Sequence, residues 1–282
     1  DNFNRVGSGV HGDRGGLGYY TEQLAYGMFP WAAMIPFAIG HAIRRSQDVA
    51  TPMRARATLF VLIWGLWVFA FFTMNQTKYH HYIFPAVPAF AILVALWVRW
   101  LADAPKKRLN LVLSVVVLLL LATIARDLLN DPKHLVNLFT YKYDRTYPRE
   151  VHARLIMGTI MGIGAFALVI SYLLERGYVL AGYGSLAALF AVWISHHHFN
   201  MLSPHWSQYH LFHSFYEEKQ PGEPIYAYQL NWRGETFYSR NTILQVKESG
   251  ANQRIKRLVE QPGREFIITE QSRYQTLKSA LG

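Results

Sequence analysis

Apolar residues along this chain come in long unbroken runs. Six segments, 24–43, 57–73, 83–98, 109–125, 155–174 and 177–195, contain no Asp, Glu, Lys or Arg. A helix that crosses a bilayer needs about 20 mostly apolar residues, with a range of roughly 17–25. Each segment reaches that length once its neutral flanks are included. One such run could be the buried helix of a large soluble protein, but so many in close succession point to a membrane. The pattern therefore predicts an α-helical integral membrane bundle of about six transmembrane helices. Pro30, Pro36, Pro85 and Pro88 fall inside or at the ends of these runs, and Gly158, Gly162 and Gly164 lie in the fifth. Membrane helices tolerate both residue types, and Gly158-x-x-x-Gly162 has the spacing of close helix packing.

The pattern changes after the last run. Residues 199–282 are rich in charge, and 221–224 (Pro-Gly-Glu-Pro) is a turn signal. Segments 225–230, 242–246 and 265–269 read as short strands. Segments 252–260 and 272–281 have helical spacing, with Ile255, Leu258 and Val259 on one face and Tyr274, Leu277 and Leu281 on another. Strand, helix, strand, helix predicts a small extramembrane α/β domain. The expected organisation is an external loop over 1–23, a transmembrane region over 24–198 and an α/β domain over 199–282. The chain begins at Asp1 with a polar, Gly-rich stretch and no signal peptide, as expected of the C-terminal part of a longer protein.

Charge orients the bundle. The loops 44–56, 99–108 and 175–176 carry Arg44, Arg45, Arg54, Arg56, Arg99, Lys106, Lys107, Arg108 and Arg176, which the positive-inside rule assigns to the cytoplasm. Strict alternation then sends residues 1–23, 75–82, 127–153 and the tail to the opposite, periplasmic face. The net charge is +10, but most of the excess lies between apolar runs. Contact with anionic headgroups accounts for it, and nucleic acid is not an expected partner. There is no cysteine, hence no disulfide framework and no thiolate site.

Chemistry concentrates where the third run meets water, in Lys78, Tyr79, His80, His81 and Tyr82, followed by Pro85 and Pro88. A lysine supplies a point charge, and tyrosine and histidine supply hydrogen bonds, so the group suits an anionic headgroup. Interfacial anchoring of an ordinary helix would use the same residues. The histidines 196, 197, 198, 205, 210 and 213 could ligate zinc through their ring nitrogens, but no acidic residue lies among them and the segment falls at the interface, which histidine suits unaided. No metal site is assigned. In 231–239, Trp232 and Tyr238 are residue types common at sugar-contacting surfaces, against a plainer reading as domain core plus turn. The stretch 138–145, alternating aromatic and charged residues, suits the bilayer surface or packing between loops.

The run Lys78, Tyr82, Pro85, Pro88, Ala89 resembles the lysine-to-proline motif of the GT-C membrane glycosyltransferases. The branch it is most similar to contains the aminoarabinose lipid A transferases and the bacterial protein mannosyltransferase-like enzymes. Asp1-Asn2-Phe3-Asn4-Arg5 resembles that branch's acidic-His-x-x-Arg element. It is followed by His11, by Tyr19 and Tyr20, and by Phe29-Pro30-Trp31. The layout of the whole chain fits, while the specific motifs lie in residues 1–90.

The resemblance implies a hexosyl or pentosyl transferase that takes its sugar from a polyprenyl-phosphate donor. The acceptor would be a lipid, protein or glycan at the extracytoplasmic face of the bacterial inner membrane. It implies that Arg5, Lys78 and Tyr82 contact the lipid phosphate, with His80, His81 and His11 as further candidates. It also implies that the catalytic aspartate lies in an earlier loop, so no catalytic residue is assigned here. Asn2 stands where relatives have a histidine that can help hold a metal. The cofactor is accordingly left unknown, with a divalent metal as the candidate. The competing classes are a transporter or flippase, which would keep ionisable groups inside its spans where this chain offers only His41, and a non-catalytic membrane assembly protein, which would not need Arg5 and Lys78 on one face.

Overall fold

The computed structural model describes residues 16–75, 78–103, 107–139, 147–174, 176–230, 233–247 and 250–281. The chain divides into two compact units, Asp1–His198 and Phe199–Gly282.

The first unit is helical throughout its described residues. Its helices are α1 (Tyr19–Gly27), α2 (Ile35–Ser46), α3 (Pro52–Met74), α4 (Val87–Asp103), α5 (Lys107–Asn130), α6 (Lys133–Asn137), α7 (Ala153–Leu174) and α8 (Arg176–Val192). Short 3₁₀ turns occupy Trp31–Met34, His80–Ala86 and Arg149–Val151, and one π-helical turn spans Trp193–His198. Two segments among the described residues, Pro52–Met74 and His80–Leu101, are long and apolar enough to cross a membrane.

The first apolar run, 24–43, is not one helix. Pro30 has no N–H to give to a helical ladder. The chain leaves α1 at Gly27, passes a cis Phe29–Pro30 bond and a 3₁₀ turn, and re-enters α-helix at Ile35 with Pro36 in the first turn. Helix α2 ends with Arg44 and Arg45 in its last turn, where cations oppose the negative end of the helix dipole. Asp48 then takes hydrogen bonds from the Ala50 N–H (3.0 Å) and the Thr51 hydroxyl (2.8 Å), and Pro52 opens α3.

Small residues set how close the helices come. Ala38, Ala42, Ala86 and Ala89 are essentially inaccessible, and a Cβ on Gly65 of α3 would stand 3.3 Å from the Ala89 methyl of α4. Larger rings fill the rest of this seam, with Phe37 stacked on Trp97 at 5.7 Å. The outer faces are apolar as well. Phe60, Ile63 and Trp67 of α3, Leu119 of α5, and Leu155, Phe166 and Val169 of α7 are each more than half exposed. Such a surface is tolerable only where the surroundings are apolar too.

The second unit opens with α9 (Phe199–Trp206) and α10 (Tyr209–Glu218). A three-stranded parallel sheet of β1 (Ile225–Tyr228), β2 (Leu244–Val246) and β3 (Phe266–Ile268) follows, in the order β2-β1-β3. Parallel neighbours need crossovers. α11 (Arg233–Tyr238) and α12 (Ala251–Val259) supply them, and α13 (Tyr274–Leu281) closes the unit. The register sets Tyr226 opposite both Leu244 and Ile267. Alternation along central β1 sends Ile225 and Ala227 into a cluster with Phe212 and Phe215 of α10. Tyr226 and Tyr228 go to the other face, with Val246, Ile255 of α12 and Leu277 of α13. Strand β1 stops at Tyr228 because Gln229 takes a left-handed conformation (φ 47°). A surface pair, Arg264 and Glu223 at 2.9 Å, ties the β3 approach to the turn at Gly222. The Arg264 hydrogen bond holds the Glu223 carboxyl below its ordinary range.

The three glycines of α7 do different things. A Cβ on Gly164 would run into Leu186 of α8, and one on Gly158 would stand 3.5 Å from Leu129 of α5. Gly162 has nothing within 4 Å among the described residues, so the Gly158–Gly162 spacing does not mark a shared packing face. Gly164→Val should overpack the α7–α8 seam and cost about 1–3 kcal/mol, read as a lower melting temperature in detergent. Gly162→Ala meets no neighbour and should raise the melting temperature slightly, since Gly costs a helix interior about 0.5–1 kcal/mol relative to Ala.

Candidate functional site

Four chain segments meet at one end of the first unit. Tyr20 of α1 donates a hydrogen bond to the Tyr79 carbonyl at 3.1 Å, which pins α1 to the segment between α3 and α4. Tyr26, one helical face further along, donates to the Asp127 carboxylate at the end of α5, and the His134 ring of α6 stacks on Tyr26 at 4.6 Å. His134 Nε2 lies 3.7 Å from the same carboxylate. A recess of about 380 Å3 opens beside this group, with Glu22, Tyr26, Arg126, Asp127 and Asn130 in its wall. At the other end of the bundle, His41 near the end of α2 faces Trp100 of α4 at 5.1 Å. The ends at Arg45 and Asp103 thus belong together, as do those at Tyr20, Lys78 and Asp127.

Lys78 is the centre of the first end. The side chain is only 2% exposed. Its ammonium donates to the carbonyls of Phe72 (3.1 Å) and Thr73, two of the carbonyls that α3 leaves unsatisfied at its C-terminus. The Tyr20 ring covers it, 5.3 Å from Nζ to the centroid. Among the described residues no carboxylate lies within ion-pair distance of it. Burial alone holds its pKa below the ordinary lysine value. Burial, with Tyr19 beside it, pushes the Tyr20 phenol up in turn.

The neighbouring candidates are brought close but do different things. Tyr82 is half-buried, its ring 5.1 Å from Phe72 and 5.2 Å from Tyr79. His81 is exposed and stacks on Tyr79 at 5.7 Å. His80 is half-buried, and its Nδ1 makes no hydrogen bond among the described residues. Arg5 and His11 lie outside the described residues, as do Trp232 and most of the 138–145 stretch. The six C-terminal histidines divide between the units: 196–198 belong to the first, and in the second His205 and His210 lie 5.8 Å apart in ring distance. His198 is buried, 3.2 Å from the Tyr147 hydroxyl and 4.9 Å in ring distance from Trp193, and burial brings its pKa down to about 4. His213 pairs instead with Glu217 in the second unit. Among the described residues no three His, Asp or Glu side chains are arranged to hold a metal.

Sequence reasoning missed Tyr20 as the ring over Lys78, although the Tyr19–Tyr20 pair stood in the right loop. It also missed the Tyr26–Asp127–His134 group, whose members are far apart in sequence and carry no motif. A third feature has no sequence signal of its own. A groove of about 590 Å3 runs along one face of α4, walled by Trp31, Ala91, Val94, Ala95 and Val98, with Arg99 and Asp103 at its end.

No protein-family model matches the chain. Among curated proteins it is 36% identical over 93 residues to the undecaprenyl phosphate-alpha-4-amino-4-deoxy-L-arabinose arabinosyl transferase of Pectobacterium carotovorum subsp. carotovorum (strain PC1). It is 32% identical over 91 residues to the protein of the same name from Pectobacterium atrosepticum. Each match takes in 32% of this chain and 15% of the relative. Among solved structures, the crystal structure of ArnT from Cupriavidus metallidurans bound to undecaprenyl phosphate matches with a TM-score of 0.63 at 18% identity. That match covers 99% of this chain and 51% of that one. The chain thus has the fold of about half of ArnT, and the resemblance to the GT-C glycosyltransferases drawn from its first 90 residues is borne out.

The Lys78 geometry has a consequence for stability in the absence of any ligand. Lys78→Met removes the donor from two buried carbonyls and should cost about 1–3 kcal/mol, read by thermal unfolding in detergent. Since the folded pKa lies below the unfolded one, the unfolded chain binds more protons between the two values. Wild-type stability relative to Lys78→Met should therefore rise as pH climbs from the folded pKa toward the unfolded lysine value, near 10.4. A flat difference across that range would mean that Lys78 is not desolvated.

Proposed function

We propose that this chain is the C-terminal part of a membrane glycosyltransferase that moves a sugar from a polyprenyl-phosphate carrier to an acceptor, and that Lys78 holds the carrier's phosphate. The observation that carries the proposal is the buried ammonium of Lys78. It sits at the end of an apolar helix, with two carbonyls and an aromatic face around it among the described residues. A lone buried cation is costly unless an anion joins it. An ammonium has three N–H groups. Two serve Phe72 and Thr73, which leaves one for a phosphate oxygen. At 2% exposure, the amine is reached only when the side chains above it shift, Tyr20 among them.

The chemistry follows from that position. Transfer breaks the bond between the sugar's anomeric carbon and a phosphate oxygen, and the departing phosphate gains negative charge. A fixed cation in low dielectric stabilises this charge more in the transition state than in the ground state, which lowers the barrier. Tyr82 would add a hydrogen bond. Arg5, carried over from the family motif, would supply a second cation, with His80, His81 and His11 in the surrounding shell. The base that activates the acceptor is not assigned to this chain. The apolar groove along α4 gives a prenyl chain a wall of Val and Ala that runs away from the Lys78 end.

In this reading the six apolar runs span the bacterial inner membrane, and the 1–23, 75–82 and 127–153 segments lie on the periplasmic side with the 199–282 unit. The names of the relatives and the bound lipid of ArnT support a lipid-linked donor.

Fluorescent polyprenyl phosphate should bind the detergent-solubilised protein. Lys78→Ala and Tyr82→Phe should each weaken binding roughly tenfold, about 1.4 kcal/mol, with helical content intact. Equal binding by wild type and both variants would remove the phosphate site from this end of the bundle.

A further inference from the structure

Helix α10 sorts its aromatic residues by face. Phe212 and Phe215 are 2% and 6% exposed and pack on the sheet. Tyr209 and Tyr216, on the open side, are each 43% exposed. His213 and Glu217 share that side at helical spacing, and Tyr238 of α11 comes up against it. Together these residues wall a cavity of about 270 Å3 whose floor is Phe212.

We propose that this cavity binds one sugar ring of a glycan. Its size lies just under the range of roughly 300–1,000 Å3 in which drug-sized ligands sit, as suits a smaller, single-ring occupant. A pyranose has two kinds of surface. Its C–H groups carry slight positive charge and lie well against the negative face of an aromatic ring. Its hydroxyls both donate and accept. The cavity offers both counterparts. Tyr209 and Tyr238 meet edge to face, rings at 71° and centroids 6.3 Å apart, so they form one continuous aromatic wall against which a sugar ring can lie. Glu217 can accept from hydroxyls, and His213 stands 3.1 Å from it. The carboxylate is thus not a lone charge waiting for a cation.

The walls are fixed in advance, which limits what binding must order. The Tyr216 hydroxyl donates to the Tyr238 carbonyl at 3.0 Å, and the Tyr238 hydroxyl donates to Ser207 Oγ at 2.9 Å. Tyr238 is stacked on Phe212 at 5.8 Å, and the Lys219 ammonium lies 5.2 Å from the Tyr216 ring centre. Tyr216 and Tyr238, held this way, present large, rigid, half-apolar ring surface at the cavity, the property that makes tyrosine an economical contact residue. The site lies in the second unit and does not depend on the phosphate reading. Combined with that reading, it selects a glycan among the acceptor classes.

The test is saturation-transfer NMR and calorimetry on the whole chain in a detergent that has neither a sugar nor a choline headgroup. The probes are the methyl glycosides of glucose, mannose, glucosamine and arabinopyranose, with tetramethylammonium as the cationic competitor. At least one glycoside should bind at millimolar concentration, with transfer strongest at its ring C–H protons. Tyr209→Ala and Tyr216→Ala should each weaken it by roughly tenfold or more. Tyr209→Phe, which keeps the ring, and Phe237→Ala, at a 76% exposed position outside the cavity, should bind as wild type. Lys78→Ala should also leave sugar binding intact, which separates this site from the phosphate site. Absence of transfer from every glycoside, binding of tetramethylammonium alone, or undiminished binding by the two alanine variants would each overturn the proposal.

Discussion

A helix end in apolar surroundings leaves carbonyls that water does not reach, and each must find a donor. This requirement governs the first unit. Where α3 stops at Met74, Lys78 turns back and gives its ammonium to Phe72 and Thr73. Where α1 stops at Gly27, the Met28 and Ala32 backbone groups bond across the break at 3.0 Å and α2 starts afresh. At the more exposed end of α5, the Arg154 guanidinium of α7 reaches the Asn130 carbonyl. Charged and polar side chains are drawn to one end of an otherwise apolar bundle because the interrupted helices need them there. Chemistry can use that end for the same reason.

The division between legible and illegible follows from range. The apolar runs and the charge clusters are local, and α3, α4, α5, α7 and α8 lie where those runs predict. Strand alternation is local too: the segments at 225, 242 and 265 became β1, β2 and β3, each shorter than read, β1 because the left-handed Gln229 cuts it. Lys78 was legible because it stands alone at the lip of a span. Tyr20 as its cover was not, since the 59 residues that separate Tyr20 from the Tyr79 carbonyl hide the hydrogen bond that pins the two segments together. The Tyr26–Asp127 bond bridges 101 residues and was invisible for the same reason. The break at Pro30 was written in the sequence, but a long apolar run outweighed it in the reading.

In the second unit, the parallel sheet explains why the aromatic face of α10 is available. Its central strand is buried on both sides, as parallel strands require. On the side that carries Ile225 and Ala227, α10 contributes Phe212 and Phe215, with Tyr238 of α11 packed beside them. The remaining large aromatic residues of α10 lie outside this cluster. They are tyrosines, with hydroxyls that a buried packing role would have to satisfy and an exposed one does not.

Lysine is suited to the role assigned at position 78 for a geometric reason. A guanidinium sends its donors out in one plane, matched to two oxygens that lie side by side. Successive carbonyls at a helix end do not lie so, and an anion approaching from the lip lies elsewhere again. A compact ammonium with three divergent N–H groups can hold Phe72 and Thr73 and still face a third acceptor. In the proposed role the same atom would complete the helix and meet the ligand, so losing it should affect both, while losing the Tyr82 hydroxyl should affect the ligand alone. That contrast lets a structural lysine be told apart from a binding one.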